Sequence, residues 1–408
     1  MSLRDETSLR RLVLQPAGGP STGKLDVEIV ERKGLGHPDT LCDSIMEQVA
    51  QALARAYLER TGAVRHFNCD KALLAAGGVE HRWGGGAVTD PMRLVIGDRA
   101  TTIWNGEDLH VAELAVETAK QWIRRHLRHV DPVAHLVYDV ALKPGSPELA
   151  GLYVGNVVAN DTSAAVGYAP MTEAEQLVLE TERYANSAEF KASFPETGED
   201  VKVMGVRSGP TLDLTVAMPL LDRYLVDERD YFERRQAIKE ALASHVRQRL
   251  ATLDDVSLML NAADRPGGGL AGIYASVLGI SAESADSGEV GRGNRANGLI
   301  SLCRPGGAEA FAGKNPVGHV GKIYCMFAFA LADTLVRRLD GLAEVTVWMC
   351  SQIGQPIDQP QRVFVMPHLA PGAVLSDIER AARIVVEEEL AHLPAFCRAL
   401  MTGERHVP

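Results

Sequence analysis

Hydrophobic positions recur along the chain with two periods. Leu41, Ile45, Val49, Leu53 and Tyr57 repeat every four residues, laying one apolar stripe along a helix over 40–58. Thr40 and Asp43 have the spacing of a capping box, which puts His37-Pro38-Asp39 at the helix N-terminus. Further helices are predicted over 107–128, 172–186, 231–250 and 315–338, the last opened by Asn315-Pro316. A final helix is capped by Ser376 with Glu379. Strand patterns occupy 25–30, 73–76, 92–96, 136–142, 256–260, 273–278 and 345–350. The runs 201–206 and 212–218 form a hairpin around Ser208-Gly209-Pro210. Residues 1–24 read as a loose arm before a body over 25–408. The irregular alternation, with strands in pairs, predicts α+β layers rather than a doubly wound parallel sheet.

Composition narrows the function classes. A length of 408 residues suggests about two to three domain-sized units. The 46% hydrophobic content excludes a solvated coil. With 42 Lys+Arg against 53 Asp+Glu, the net charge of −11 argues against bulk nucleic-acid binding, while leaving room for a small basic pocket. The six cysteines form no C-x-x-C pair and sit mostly in apolar runs, as expected of reduced thiols in the cytoplasm. The N-terminal stretch has no apolar run of the signal-peptide kind. The longest apolar stretch, 323–336, is too short for a membrane span and contains Asp333, so it reads as a core helix.

Gly18-Gly19-Pro20-Ser21-Thr22-Gly23-Lys24 nearly matches a P-loop, but Leu25 stands where a hydroxyl must reach magnesium, and no strand precedes it. Two other segments are better anion candidates. In Gly34-Leu35-Gly36-His37-Pro38-Asp39, the glycines permit close backbone approach to a ligand and the helix start offers free N–H groups; the same pattern also fits a capped turn. The stretch Asp286 to Arg295, followed by Gly313-Lys314 and Lys322, places an acid near arginines and lysines on glycine-rich backbone. This is either a solvated loop or a metal–polyphosphate site.

Together these segments resemble S-adenosylmethionine synthetase of the archaeal type. The matching strings are V-E-I-V-E-R-K-G-L-G-H-P-D at 27–39, A-N-D-T-S at 159–163, G-Y-A-P at 167–170 and L-V-L-E-T-E-R-Y at 177–184. G-E-D-V-K-V-M-G at 198–205, V-G-R-G-N-R-A-N-G-L-I at 290–300, G-K-N-P-V-G-H-V-G-K-I-Y at 313–324 and S-Q-I-G at 351–354 continue the match in order. The resemblance implies a synthetase-like fold of three similar α+β units in pseudo-threefold arrangement, built from non-contiguous segments. It implies that ATP and methionine become S-adenosylmethionine, pyrophosphate and phosphate, in a homodimer with interfacial sites and with Mg2+ and K+ as cofactors. It assigns His37 to the leaving triphosphate, Lys202, Arg292 and Lys314 to the phosphates, and Arg295 and Lys322 as further clamps. Asp39 and Asp286 become magnesium ligands, Asp70 a monovalent-cation ligand, and Asp161 and Asp200 substrate contacts. The chain departs from the family at Ser287, in place of a second aspartate, and at Lys143-Pro144-Gly145-Ser146, in place of a Gly-Gln-Gly-Ser loop that meets substrate. Those departures leave open an altered nucleotide or methionine-analogue preference. A non-catalytic nucleotide-binding paralogue is the alternative from another class.

Overall fold

The computed structural model describes residues 11–153 and 158–405. Among them, three sheets of four or five strands each face a hydrophobic core of their own. The first sheet runs, edge to edge, through Gly288–Glu289, Phe67–Ala75, Met92–Ala100 and Leu136–Lys143. The second runs through Asp255–Leu260, Thr211–Ala217, Lys202–Ser208, Val27–Lys33 and Ile300–Ser301. The third runs through Leu12–Leu14, Arg362–Leu369, Leu342–Cys350 and Ala164–Ala169. Helices Pro38–Thr61 and Val111–His126 cover the first core, Glu173–Ala185 and Glu228–Arg247 the second, and Val320–Arg338 and Leu375–Ala391 the third.

Alternation makes each sheet one-sided. Thr211–Ala217 buries Leu212, Leu214 and Val216 and exposes Thr211, Asp213 and Thr215. The faces turned away from the cores still carry apolar side chains: Leu73 and Val137 on the first sheet, Val27 and Met259 on the second, and Trp348 on the third are all exposed. No described helix is long and apolar enough to cross a membrane.

Several predicted boundaries shift for identifiable reasons. The helix expected from Thr40 begins at Pro38, because His37 Nδ1 accepts the Asp39 N–H; Thr40 instead donates to the Lys33 carbonyl. Asn315 turns the chain by accepting from the Val317 N–H, so that helix waits until Val320, capped by His319. The stretch 107–110 is not helical; Ile103–Trp104 and Glu107–Asp108 form a hairpin around Asn105 and Gly106, both at positive φ. Over 273–278 only Ala275–Ser276 is strand, since the Glu283 carboxylate takes the N–H groups of Val277 and Leu278. Ser376 caps nothing, and its hydroxyl meets Asp377. Part of the expected loose arm is ordered: Leu12–Leu14 pairs in parallel with Val363–Val365. The Arg362–Leu369 strand and the Leu393–Thr402 helix were not predicted.

Buried ion pairs join the cores. Lys322, expected as a phosphate clamp, is fully buried and paired with Glu47 on the Pro38–Thr61 helix, so it holds two helices together instead. Arg304, equally buried, bridges Glu175 of the second unit and Glu344 of the third, each at 2.8 Å. Removing one partner of such a pair leaves an uncompensated charge, whereas replacing both with apolar groups costs far less. Lys322→Met is therefore expected to lower unfolding stability by about 3 kcal/mol or more, and Lys322→Met with Glu47→Leu to recover most of it. Urea unfolding of the two variants beside the parent chain measures this; equal losses in single and double variants count against it.

Candidate active site

The first cluster forms where the strands Val27–Lys33 and Lys202–Ser208 pair antiparallel, placing Lys33 opposite Lys202. Just past this pairing the two segments stay close and antiparallel. The Gly34 N–H donates to the Val201 carbonyl at 2.8 Å and the Gly36 N–H to that of Glu199 at 2.9 Å. A Cβ on Gly36 would lie 2.5 Å from the Asp200 nitrogen. These glycines thus serve chain-to-chain packing, not the ligand approach expected of them. Gly288 and Gly293 do the same on the other side, where a Cβ would overlap the Pro38 carbonyl or the Asp43 carboxylate.

The result fixes the helix N-terminus in a shell of polar groups. Asp39 accepts from Lys33 Nζ at 2.8 Å and from the Glu289 N–H at 3.0 Å. Lys33 Nζ also donates to the Arg292 carbonyl at 2.7 Å, and Asn294 exchanges hydrogen bonds with the Lys33 backbone. Asp43, one helical turn below Asp39, accepts from the Gly291 N–H at 2.8 Å. Lys202 rests on Glu31 at 3.1 Å. Asp200 is buried and accepts from the Ser281 N–H and hydroxyl. Asp286 is exposed, holding its own neighbour's N–H, and its charge is felt by both His37 and Asp200.

Burial dominates the titration of this cluster. It drives the pKa of His37 down to about 4 against the pull of Asp39, and Lys33 and Lys202 deepen the fall. His37 is therefore neutral near pH 7, and since Nδ1 accepts the Asp39 N–H, the ring proton sits on Nε2. Burial raises Asp200 to about 6 despite the Ser281 bonds, and Asp43 to about 7 despite those from Gly291 and Gly293.

A second group lies around Asp70. Lys71 Nζ is 2.5 Å from its Oδ1 and Lys314 Nζ 3.5 Å from its Oδ2. Burial pushes the Asp70 carboxyl up, but these two ammonium groups carry it below the usual range. Both oxygens face cations already, so the residues present do not fit a bound K+ at Asp70. Lys314 is buried and also pairs with Glu309, whose other oxygen accepts from the Ser163 hydroxyl at 3.3 Å. Asp161, two residues earlier, is exposed and accepts from the Thr162 N–H. Ser146 caps the short helix Pro147–Gly151, and Gly145 packs on the His66 ring. Arg295 lines a cavity of about 240 Å³ with Tyr168, Glu309 and Phe329.

The fold thus gathers His37, Asp39, Asp200, Lys202, Asp286 and the Arg292 backbone in one place, and Asp70, Lys314 and the Asp161 segment in another; Lys322 lies beside the second group with its ammonium taken by Glu47. Lys33, Asp43 and Glu309 were missed. Asp43 was legible, four residues from Asp39 on one helix face, and Lys33 stood within the loop already singled out; nothing in the sequence ties Glu309 to Lys314. No three acidic, histidine or cysteine side chains gather into a metal cage among the described residues. Asp286 keeps an exposed oxygen without a partner among the described residues, which suits magnesium, a metal that takes one or two carboxylates and completes its shell with phosphate oxygens and water; Asp39 would serve as the second by exchanging Lys33 for the metal.

The model of the S-adenosylmethionine synthetase (AdoMet synthetase) family matches residues 10–404. The S-adenosylmethionine synthase of Pyrobaculum neutrophilum is 41% identical over 401 residues, covering 96% of this chain and 99% of that one. That of Natronomonas pharaonis is 41% identical over 97% and 98% of the two chains, and the probable S-adenosylmethionine synthase of Aquifex aeolicus is 38% identical over 97% and 99%. A solved structure described as an unusual S-adenosylmethionine synthetase from Campylobacter jejuni shares the fold, with a TM-score of 0.56 at 16% identity over 93% of this chain and 94% of that one. With a family match that takes in the helix N-terminus, the paired lysines and the glycine-rich segment alike, the chain belongs to the S-adenosylmethionine synthetase family.

Proposed function

We propose that this chain is a methionine adenosyltransferase, converting ATP and L-methionine into S-adenosylmethionine, pyrophosphate and phosphate around His37. The carrying observation is a neutral histidine at a helix N-terminus, its Nδ1 satisfied internally and its Nε2–H left to donate, with Lys33 and Lys202 beside it. The methionine sulfur attacks C5′ of ATP, the C5′–O bond breaks, and its electrons leave on triphosphate. The sulfur has no proton to lose, so the protein needs no general base; it must align the substrates and stabilise the leaving charge. His37 donates to the leaving oxygen, and Lys202, Arg292 and Lys314 engage the phosphates, with Arg295 as a further clamp. Asp161, Asp200 and the Gly145-Ser146 turn contact substrate. Asp39 and Asp286 hold magnesium, which when bound neutralises phosphate charge. Asp39 is supported in this by its place beside His37, and Asp286 by its free exposed oxygen.

The three sheets stand as three similar units in pseudo-threefold arrangement, a reading supported by one core and one helix layer per sheet. The chain works as a homodimer, with the second cluster of one copy completing the first of the other; the apolar residues on the open face of each sheet support this. Six free cysteines suit a cytoplasmic setting.

Methionine-dependent loss of ATP with mass spectrometry of the product tests the reaction. His37→Ala is expected to lower kcat by about 10²–10³-fold with little change in KM; an unchanged kcat sinks the assignment. In NMR titrations of the free protein the His37 ring is expected to remain neutral down to about pH 4. Tripolyphosphate should raise that midpoint, because neighbouring negative charge favours the protonated ring; an unmoved midpoint places the polyanion elsewhere. Light scattering is expected to give twice the chain mass, and Trp348→Lys to shift the protein towards the single chain.

A further inference from the structure

The Pro38–Thr61 helix has an apolar buried face and a polar, partly covered one that ends at exposed Arg55. One carries the apolar stripe that fills the first core. On the other, Ser44, Gln48, Gln51 and Arg55 follow one another at helical spacing, with Gln51 buried and Ser44 and Gln48 half-buried. Covering a row of polar side chains is unfavourable unless each finds a partner. Here partners are few: the Ser44 hydroxyl makes no hydrogen bond among the described residues, Gln48 reaches only Gln51 at 3.3 Å, and Arg55 reaches only the Met401 carbonyl at 3.3 Å. What the row faces is a cavity of about 500 Å³, a volume ordinary for a small-molecule site.

The opposite wall is the end of the Val111–His126 helix. Trp122 and His126 stack there at 4.4 Å, and exposed Arg125 has no hydrogen-bond or carboxylate partner among the described residues. The one carboxylate in the lining, Glu47, is neutralised by Lys322. The cavity therefore has at its rim two guanidinium groups with no carboxylate partner among the described residues, Arg125 and Arg55, and hydroxyl and amide groups within, in a protein whose net charge is −11. A guanidinium pair recognises carboxylate or phosphate oxygens, and the amides and serine recognise hydroxyls.

The geometry points to a second ligand site here, distinct from the His37 cluster, for a small anion that carries a carboxylate or phosphate on a hydroxylated body. Arg55 and Arg125 hold its charge, and Ser44, Gln48 and Gln51 its hydroxyls. The site shares a helix with His37 and Asp39. It also reaches the second cluster, because Gln51 Nε2 donates to Glu47 at 3.3 Å and Glu47 accepts the Gly313 N–H at 3.4 Å, next to Lys314. The inference is independent of the adenosyl-transfer reading, since its test reads binding and not turnover.

Isothermal titration calorimetry of the full chain without magnesium, using glycerol 3-phosphate and citrate as probes, distinguishes the two anion types. At least one probe is expected to bind once per chain. Arg125→Gln should weaken it about tenfold or more, Ser44→Tyr should abolish it by filling the cavity, and His37→Ala should leave it unchanged. Circular dichroism confirms that the variants are folded. Binding of neither probe overturns the inference, as does binding that survives both Arg125→Gln and Ser44→Tyr. Loss of binding in His37→Ala overturns it too, by assigning the anion to the first cluster.

Discussion

The carboxylate of Glu47 is the constraint on which the other parts rest. It lies near the middle of the helix that starts at His37, is buried, and takes the Lys322 ammonium of the Val320–Arg338 helix together with an amide from Gln51. One charge pair thus fixes the helix of the first core against that of the third, and through the Gly313 N–H it fixes the turn that presents Lys314. Two charges taken out of water gain little net stability from each other, but they tolerate only one mutual position. An apolar contact at the same place would permit the helices to slide. Arg304, held by Glu175 and Glu344, sets the second and third units in the same way.

The site cations follow a related logic. Lys33 rests on Asp39, Lys202 on Glu31, and Lys314 on Glu309 and Asp70. Each of these lysines thus has a carboxylate partner within the protein. In the adenosyl transfer proposed above, triphosphate takes over these partners one by one. Selectivity would then arise from exchange: a monoanion offers too little to displace four carboxylates, while a highly charged ligand supplies replacement oxygens for every ammonium group.

What the sequence reveals follows from the range of each interaction. The apolar stripe through Leu41 and Tyr57 and the alternation in Thr211–Ala217 are local, and both elements stand where periodicity put them. The helix expected over 172–186 is likewise set locally, by a Thr172–Glu175 capping box. Helix starts were misjudged where a neighbouring residue took the cap: His37 accepts the Asp39 N–H while Thr40 donates to the Lys33 carbonyl, and Asn315 turns onto Val317 so that His319 caps instead. The site reads the same way. His37 and Asp39 were visible in one motif, but the burial of Lys322 depends on Glu47, which lies 275 positions away, and the role of Gly288 depends on Pro38. Motif strings mark which residues matter and are silent on which of them face one another.

The first sheet closes on Gly288–Glu289, the third pairs Leu12–Leu14 with Val363–Val365, and Met401 packs into the core begun by Leu41. During synthesis, therefore, no core is complete when its first helix leaves the ribosome. A growing chain halted at mid-length exposes unpaired strand edges and half-covered sheets, and the first core has to wait for Met401, far along the chain from Leu41. Such long-range closure slows folding and prolongs the interval in which sheet edges are open to other chains. The same interleaving that brings distant segments to one helix N-terminus makes the nascent protein dependent on rapid elongation through all of them.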